Sequence, residues 1–210
     1  MNLKNIQLES HWNVFWENKY IEQNNETLVI ILPGQNYTNE KPLMYYSYKI
    51  ALEAGLDILC VDYGFQILHK DFNIETEFDI LVGEVEQIAK ECLSANYKKI
   101  IFIGKSLGTI IKNRLSKIFI DFEQLHVYLT PVDKTFEHMV NYPCLVITGA
   151  DDKKINSLNM SLIDNSTNIE LIKIDGGNHR LECLDALKSI EMLNIAMEGL
   201  KNFIFKHSKE

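Results

Sequence analysis

The sequence predicts an α/β protein with three layers, α/β/α, in which helices cover both faces of a mostly parallel, open sheet. Short, continuously apolar segments alternate with amphipathic segments along most of the 210 residues. Continuously apolar strands indicate burial on both faces, as in a parallel sheet that is covered by helices. Because crossovers between parallel strands are right-handed, the connecting helices are expected on both sides of this sheet.

The predicted elements alternate in type along the chain. Residues 5–22 predict one or two short strands, with Trp12 and Trp16 as anchors. Apolar runs predict buried strands at Thr27–Leu32, Asp57–Val61, Lys99–Ile103, Leu125–Leu129, Pro143–Thr148 and Ile169–Ile174. Helices are predicted at residues 41–54, 75–95, 107–119 and 181–205, the last with a break near Gly199. The clearest helical pattern is at 75–95, where apolar residues recur with a 3.6-residue period.

The charge and the composition of the chain exclude several classes of partner and location. The net charge is −8 and no basic stripe is visible, so neither nucleic acid nor an anionic membrane surface is an expected partner. The N-terminal segment is polar and mixed, unlike a signal peptide, and no apolar run approaches the roughly 20 residues of a membrane span. We therefore expect a cytoplasmic protein with a single domain at 1–210, whose oligomeric state the sequence does not specify.

Cysteine and histidine spacing gives no sign of a metal centre. None of the cysteines forms a C-x-x-C pair; they are Cys60, Cys92, Cys144 and Cys183. We expect them to be buried free thiols in a reducing compartment. Because the histidines are scattered and form no cluster with cysteine, neither a metal nor a cofactor is predicted.

A G-x-S-x-G motif, Gly104-Lys105-Ser106-Leu107-Gly108, follows the third buried strand and precedes a helix. A chain that turns this sharply from strand to helix pushes the side chain at the apex out above the sheet. The bare pattern is expected by chance in roughly one chain in twenty of this length. The interpretation as a nucleophile turn therefore depends on the strand before it and the helix after it. Ser106 is the candidate nucleophile.

A phosphate-binding loop is the main rival interpretation of this segment, because Gly104-Lys105-Ser106 resembles its last three residues. Such a loop requires another glycine five positions before Gly104, and Lys99 occupies that position. The sequence therefore disfavours nucleotide binding.

Ligands of open α/β sheets bind outside the carboxyl ends of the strands, so the residues just after each strand are the informative ones. Ser106, Asp152 and His179 follow three different predicted strands, in that chain order. A serine hydroxyl needs a base within hydrogen-bond reach, and histidine is the common base. The three residues are therefore candidates for one site.

In this order and context the chain resembles the α/β-hydrolases over nearly its whole length. Within that superfamily it is similar to compact dienelactone-hydrolase-like proteins and small esterases or thioesterases. The resemblance rests on the elbow motif, on the Gly149-x-x-Asp152 spacing and on Gly176-Gly177-Asn178-His179. It implies a Ser-His-Asp hydrolase that cleaves a small-molecule ester or thioester through an acyl-enzyme.

The resemblance also implies roles for individual residues. Ser106 would be the nucleophile, His179 the base and Asp152 the acid, with the adjacent Asp151 and with Asp133, after the preceding strand, as alternatives for the acid. The backbone N–H groups of Gln35 and Leu107 would form the oxyanion hole. Here the chain departs from the common pattern, because Pro33-Gly34 stands where many relatives have His-Gly.

The stretch between Leu129 and Pro143, where larger relatives insert a helical cap, has room for one small helix at most. We therefore expect a minimal cap or none, and an open, shallow site. Lys105 could steer an anionic substrate, but a surface ion pair is the favoured expectation for it. Asp62 is expected to be structural.

Aromatic side chains near the strand ends could line a pocket or pack in the core; they are Tyr37, Tyr45, Tyr63 and Phe65. Two further functional possibilities stay open. One is a non-catalytic protein of the same fold that binds a ligand or a protein partner, and the other is acyl transfer or dehalogenation. Dehalogenation is disfavoured because such relatives generally carry aspartate at the elbow.

Overall fold

The computed structural model of the protein describes residues 1–93 and 97–208. Within these residues there are eight strands: β1 (Asn2–Glu9), β2 (Phe15–Glu22), β3 (Thr27–Leu32), β4 (Asp57–Cys60), β5 (Lys99–Lys105), β6 (Glu123–Leu129), β7 (Cys144–Gly149) and β8 (Ile169–Ile174). The α-helices of the same part of the chain are α1 (Pro42–Glu53), α2 (Gly64–Ile67), α3 (Phe78–Cys92), α4 (Leu107–Ile118), α5 (Phe136–Asn141), α6 (Ser157–Asp164) and α7 (Ala186–His207).

The strands form one sheet in the order β1-β2-β4-β3-β5-β6-β7-β8. The pairs β1–β2 and β2–β4 are antiparallel, and all pairs from β4 to β8 are parallel. The carboxyl ends of β3 and of β5 to β8 therefore lie at one edge of the sheet, which is where such sheets carry their sites.

Alternate residues of the central strands face two separate cores. Leu28, Ile30 and Leu32 of β3 pack with α3 and α4, whereas Val29 and Ile31 pack with α1 and α7. These five side chains are fully buried. Burial on both faces explains why the strands are continuously apolar, and it confirms the predicted three-layer arrangement with a mostly parallel open sheet.

The predicted elements differ from the observed ones at several ends, and the short helices α2 and α6 were not predicted. Residues 5–22 contain a complete antiparallel hairpin, β1 and β2. The helix predicted at 75–95 is described over Phe78–Cys92, and residues 94 and 95 lie outside the described residues. The prediction that the last helix begins at 181 was wrong, because Asp185 caps α7 by accepting hydrogen bonds from the backbone N–H groups of Leu187 and Lys188.

Helix α7 also continues through Gly199, so the predicted break is absent from this described helix. A Cβ atom at Gly199 would overlap the side chain of Ile172 in β8, so the small residue allows close packing of helix on sheet. Between β6 and β7 a 3-10 turn at Asp133–Thr135 leads directly into α5. This segment is too short to cover the carboxyl edge of the sheet with a large cap.

The cysteines are all free thiols. Cys60, Cys92 and Cys144 are buried as predicted, but Cys183 is partly exposed because it lies on the loop before α7. Among the described residues, no helix has the length and apolar character needed to cross a membrane. The assignment of 1–210 to a single domain stays a prediction.

Candidate active site

Ser106 lies at the junction of β5 and α4 with backbone angles φ 50° and ψ −112°, a strained region for a residue other than glycine. The glycines on either side make this junction possible. A Cβ atom at Gly104 would lie 2.6 Å from the carbonyl oxygen of Gly108, and one at Gly108 would overlap the backbone of Leu32. The turn expected from the motif is therefore present, with the Ser106 side chain at its apex.

The structure brings the three predicted side chains into one hydrogen-bonded chain. The Oγ atom of Ser106 lies 2.9 Å from Nε2 of His179, and Nδ1 of the same ring lies 2.8 Å from Oδ2 of Asp152. The Asp152 side chain is 1% exposed and the His179 side chain is 26% exposed. The carboxylate is thus buried behind the imidazole, and the ring reaches the solvent-facing side of the site.

Of the three candidate acids, Asp152 is the hydrogen-bond partner of His179. Its other oxygen, Oδ1, accepts a hydrogen bond of 3.0 Å from the backbone N–H of Lys154. Asp151 is exposed. The carboxylate of Asp133 instead accepts hydrogen bonds from Asn156 and Asn159 at the start of α6. Burial raises the pKa of Asp133, but the hydrogen bonds together outweigh this effect and lower the pKa below its ordinary value.

A close backbone contact joins the loops that carry Asp152 and His179. A Cβ atom at Gly149, at the end of β7, would overlap the carbonyl group of Gly177. The backbone N–H of Asp151 also donates a hydrogen bond of 3.0 Å to that carbonyl oxygen. The spacing Gly149-x-x-Asp152 therefore has a physical basis, since only glycine lets the two loops approach this closely.

The two predicted backbone donors, Gln35 and Leu107, both line a cleft that also contains Ser106. Leu107 is the first residue of α4, so its N–H has no acceptor within the helix. Gln35 lies in a tight turn closed by two hydrogen bonds between Gly34 and Tyr37, of 3.0 and 3.2 Å. A Cβ atom at Gly34 would be 3.3 Å from the Cβ atom of Ser106, so this turn lies directly against the serine.

Two side chains that follow β4, and whose role the sequence did not reveal, hold this turn in place. The amide of Gln66 donates hydrogen bonds to the carbonyl oxygens of Gly34 and Gln35, at 2.6 and 2.8 Å. The Tyr63 hydroxyl donates to the carbonyl oxygen of Pro33 at 3.0 Å. Their contribution could be found only from the sheet order, because they lie about 30 residues away along the chain.

The expectation of a surface ion pair for Lys105 was wrong, because this side chain is only 2% exposed. Its Nζ atom donates a 3.2 Å hydrogen bond to the carbonyl oxygen of His179 and lies 4.5 Å from the centre of the Tyr37 ring. Burial lowers the pKa of Lys105 to about 8, although the nearby Asp152 carboxylate opposes this shift. Lys105 thus joins the loop that carries His179 to the turn that carries Gln35.

The other singled-out residues divide between core and surface. Tyr63 and Phe65 are buried in the core, and Tyr45 is exposed away from Ser106. Asp62 is structural as expected, since its carboxylate accepts a hydrogen bond from Asn39. The side chain of Asn178, which precedes His179, accepts hydrogen bonds from the backbone N–H groups of Arg180 and Glu182 and so shapes the loop.

The sequence matches no protein-family model and none of the curated proteins. Solved structures, in contrast, match over nearly the whole chain. An esterase from Pyrococcus furiosus has a TM-score of 0.67 at 16% identity and covers 98% of this chain and 92% of its own. The dienelactone hydrolase from Anabaena variabilis has a TM-score of 0.68 at 16% identity, with 94% and 95% covered. The protein has the α/β-hydrolase fold.

A third neighbour is described as having no lid. An α/β serine hydrolase without a lid from Xanthomonas campestris has a TM-score of 0.65 at 11% identity, and 96% of this chain and 94% of that one are covered. In the present chain, residues 130–143 connect β6 to β7 and contain the 3-10 turn Asp133–Thr135 and the short helix α5. The resemblance inferred from the motifs is thus confirmed for the fold.

Proposed function

We propose that the protein is a serine hydrolase that cleaves a carboxylic ester or thioester of a small molecule through an acyl-enzyme on Ser106. The observation that supports this proposal is the continuous hydrogen-bonded chain from Ser106 through His179 to Asp152, with distances of 2.9 and 2.8 Å. A serine held on a strained turn and bonded to an oriented imidazole is arranged as an activated nucleophile.

In the proposed reaction, the proton of the Ser106 hydroxyl moves along the hydrogen bond to His179. An ionised Asp152 can only accept, so the proton of the neutral imidazole resides on Nδ1, and Nε2 is free to accept from the Ser106 hydroxyl. When Oγ attacks the substrate carbonyl carbon, Nε2 takes the hydroxyl proton and Asp152 stabilises the resulting imidazolium. His179 then donates that proton to the leaving alcohol or thiol, and a water molecule activated in the same way releases the acid.

The negative charge of the tetrahedral intermediate requires donors that are already in position. In the proposal these donors are the backbone N–H groups of Gln35 and Leu107. The hydrogen bonds that Gln66 makes to the Gln35 turn would keep the first donor aimed at the oxyanion. The second donor is fixed by the start of α4.

The structural neighbours lend support to the same reaction class. They include proteins named as an esterase, a dienelactone hydrolase and a serine hydrolase without a lid. Esters and lactones are both cleaved at a carboxylic carbonyl carbon, which is the centre that Ser106 would attack with His179 as its base.

The test is hydrolysis of 4-nitrophenyl acetate and S-phenyl thioacetate by the protein and five variants, one of which is Asp151→Asn. We expect Ser106→Ala and His179→Ala to lower kcat by about 10⁴ to 10⁶. Asp152→Asn should lower kcat by about 10⁴, because the imidazole would then hold its proton on the wrong nitrogen. Ser161→Ala, at an exposed serine of α6, is the matched control and should retain full activity.

A folded protein that hydrolyses neither substrate would contradict the proposal and favour the non-catalytic binding protein. A loss of activity in the Asp151→Asn variant, with activity kept in Asp152→Asn, would move the acid to the adjacent residue. Hydrolysis that continues unchanged in Ser106→Ala would exclude the acyl-enzyme on this serine.

A further inference from the structure

Two clefts of different character meet at Ser106. The first, here called the histidine-side cleft, has a volume of about 240 Å³ and is lined by Ser106, His179, Tyr37, Lys105, Lys154 and Arg180 among others. The second, here called the leucine-side cleft, has a volume of about 340 Å³ and contains Ser106 with the apolar side chains of Ile74, Leu107, Ile110 and Val132. Lys154 lies between the two clefts and lines both, whereas Arg180 lines only the first. A substrate bound at Ser106 can therefore extend in two directions.

The position of His179 distinguishes the two directions. The imidazole must reach the leaving-group oxygen or sulfur to protonate it, so the leaving group has to lie on the side where His179 is. His179 lines the histidine-side cleft and is not part of the lining of the leucine-side cleft. The leucine-side cleft, next to the Leu107 backbone donor, is left for the acyl group, and the four apolar side chains in its lining suit a short apolar chain.

The histidine-side cleft is cationic although the protein as a whole has a net charge of −8. Three cationic side chains line it, and no carboxylate of the described residues does. Lys154 and Arg180 are exposed, and neither takes part in an ion pair within residues 1–93 and 97–208. Their charges are therefore available to a ligand, whereas Lys105 already donates to the carbonyl oxygen of His179.

The acidic groups near this cleft do not belong to its lining. Asp152 is buried and hydrogen-bonded to His179. Glu182 interacts electrostatically with Lys105 but does not line the cleft. Asp133 lies on the leucine-side cleft, where Asn156 and Asn159 donate to its carboxylate and Lys134 provides a positive charge.

We propose that the leaving group of the natural substrate carries a carboxylate or phosphate, which Lys154 and Arg180 bind in the histidine-side cleft while a short apolar acyl group occupies the leucine-side cleft. This inference rests on the proposed hydrolase function. Arginine binds carboxylate and phosphate through two parallel N–H donors, and lysine adds a point charge. An exposed cationic cleft also steers anionic substrates to the nucleophile, an effect that salt weakens.

The experiment compares matched acetate esters whose leaving groups differ only in charge. The anionic esters are 4-acetoxybenzoate and 4-acetoxyphenyl phosphate, and the neutral ester is 4-acetoxybenzamide. We expect kcat/KM for at least one anionic ester to exceed that for the neutral ester by about tenfold or more at low salt. The better of the two anions identifies whether the natural group is a carboxylate or a phosphate. Placing the charge on the acyl side, as in mono-4-nitrophenyl succinate against 4-nitrophenyl butyrate, should give a smaller gain, because Arg180 lines only the histidine-side cleft and Asp133 lines the leucine-side cleft.

Three variants assign the preference to residues. In Lys154→Gln and Arg180→Gln the ratio of anionic to neutral kcat/KM should fall severalfold, and in the double variant it should approach one. Lys153→Gln is the matched control: it removes the same charge one residue away, outside both clefts, and should keep the ratio. Raising the salt concentration should lower the ratio in the wild type and change it little in the double variant.

The outcomes separate this inference from the function on which it rests. Hydrolysis of all esters with a ratio near one, or a preference for the anion on the acyl side, overturns the assignment of an anionic leaving group and leaves the hydrolase intact. No hydrolysis of any ester, together with no labelling of Ser106 by a fluorophosphonate, overturns the hydrolase and the anion preference with it.

Discussion

The elbow at Gly104–Gly108 and the loop at Asp175–Glu182, here called the histidine loop, hold the two ends of the Ser106–His179 hydrogen bond by different means. The elbow is shaped by close backbone packing, because Gly104 allows its strand, turn and helix to come into contact and Gly108 allows the helix to lie against Leu32 of β3. The histidine loop is held by its own Asn178 and by the Lys105 side chain, which arrives from β5. The nucleophile is therefore positioned by close backbone packing, whereas the base depends on side-chain hydrogen bonds from Asn178 and Lys105.

This contrast predicts its largest effect at the elbow. In Gly108→Ala the new methyl group would overlap the backbone of Leu32, which cannot move without displacing the central strand β3. We expect the free energy of unfolding to fall by about 3 kcal/mol or more, with loss of esterase activity. Denaturant unfolding and the 4-nitrophenyl acetate assay measure the two quantities.

Gly83→Ala is the control for this substitution, because a Cβ atom at Gly83 in α3 meets no other atom within 4 Å. Replacing a helical glycine by alanine should raise the free energy of unfolding by about 0.5 to 1 kcal/mol. If the two variants were equally stable, the explanation of the elbow by close backbone packing would be wrong.

The histidine loop should respond in the opposite way, through rate rather than stability. Lys105→Met keeps the length of the side chain but removes the donor to the His179 carbonyl oxygen, so the imidazole loses a restraint. We expect kcat for 4-nitrophenyl acetate to fall by about tenfold to a hundredfold, with little change in KM. The free energy of unfolding should not fall, because the buried ammonium group is costly to keep out of water.

Lys153→Met, at an exposed lysine, serves as the comparison for Lys105→Met. It should alter neither kcat nor stability. A Lys105→Met variant with unchanged kcat and a lower free energy of unfolding would assign Lys105 to the stability of the fold and not to the position of His179.

The smallest effect is a pH dependence of stability. The folded state lowers the pKa of Lys105 from 10.5 to about 8, so above pH 8 the unfolded chain binds more protons than the folded protein. The free energy of unfolding of the wild type should therefore rise relative to Lys105→Met as the pH increases, by about 1 kcal/mol between pH 7 and 9. Titrations common to both proteins cancel in this difference, and a difference that stays flat or falls would contradict a buried, charged Lys105.

The same contrast explains what could be predicted from the sequence. Continuous apolar strands, the elbow motif and the strand ends at Asp152 and His179 are local patterns, and each has a direct physical cause in the fold. The antiparallel hairpin β1–β2 and the burial of Lys105 depend on which segments become neighbours in the sheet. Lys105 was expected at the surface because it is charged, but Tyr37 and the histidine loop, which are distant along the chain, cover it.

The polar side chains that hold the site together could not be predicted either, because they come from segments that are neighbours only in the folded sheet. Gln66 follows β4 and bonds to the turn after β3 because these strands are adjacent in the sheet. The sequence order alone does not indicate this pairing. The first residue of α7 was misplaced because the apolar residues at 181–184 hid the capping role of Asp185.

The central claim is that Ser106 is a nucleophile activated by His179. Its most direct test is labelling of the folded protein with a fluorophosphonate, followed by mass mapping of the modified peptide. The account predicts one adduct per chain, located on Ser106, that is suppressed in His179→Ala and absent in Ser106→Ala. No adduct on the folded wild type, or an adduct on another serine that persists in Ser106→Ala, would contradict it.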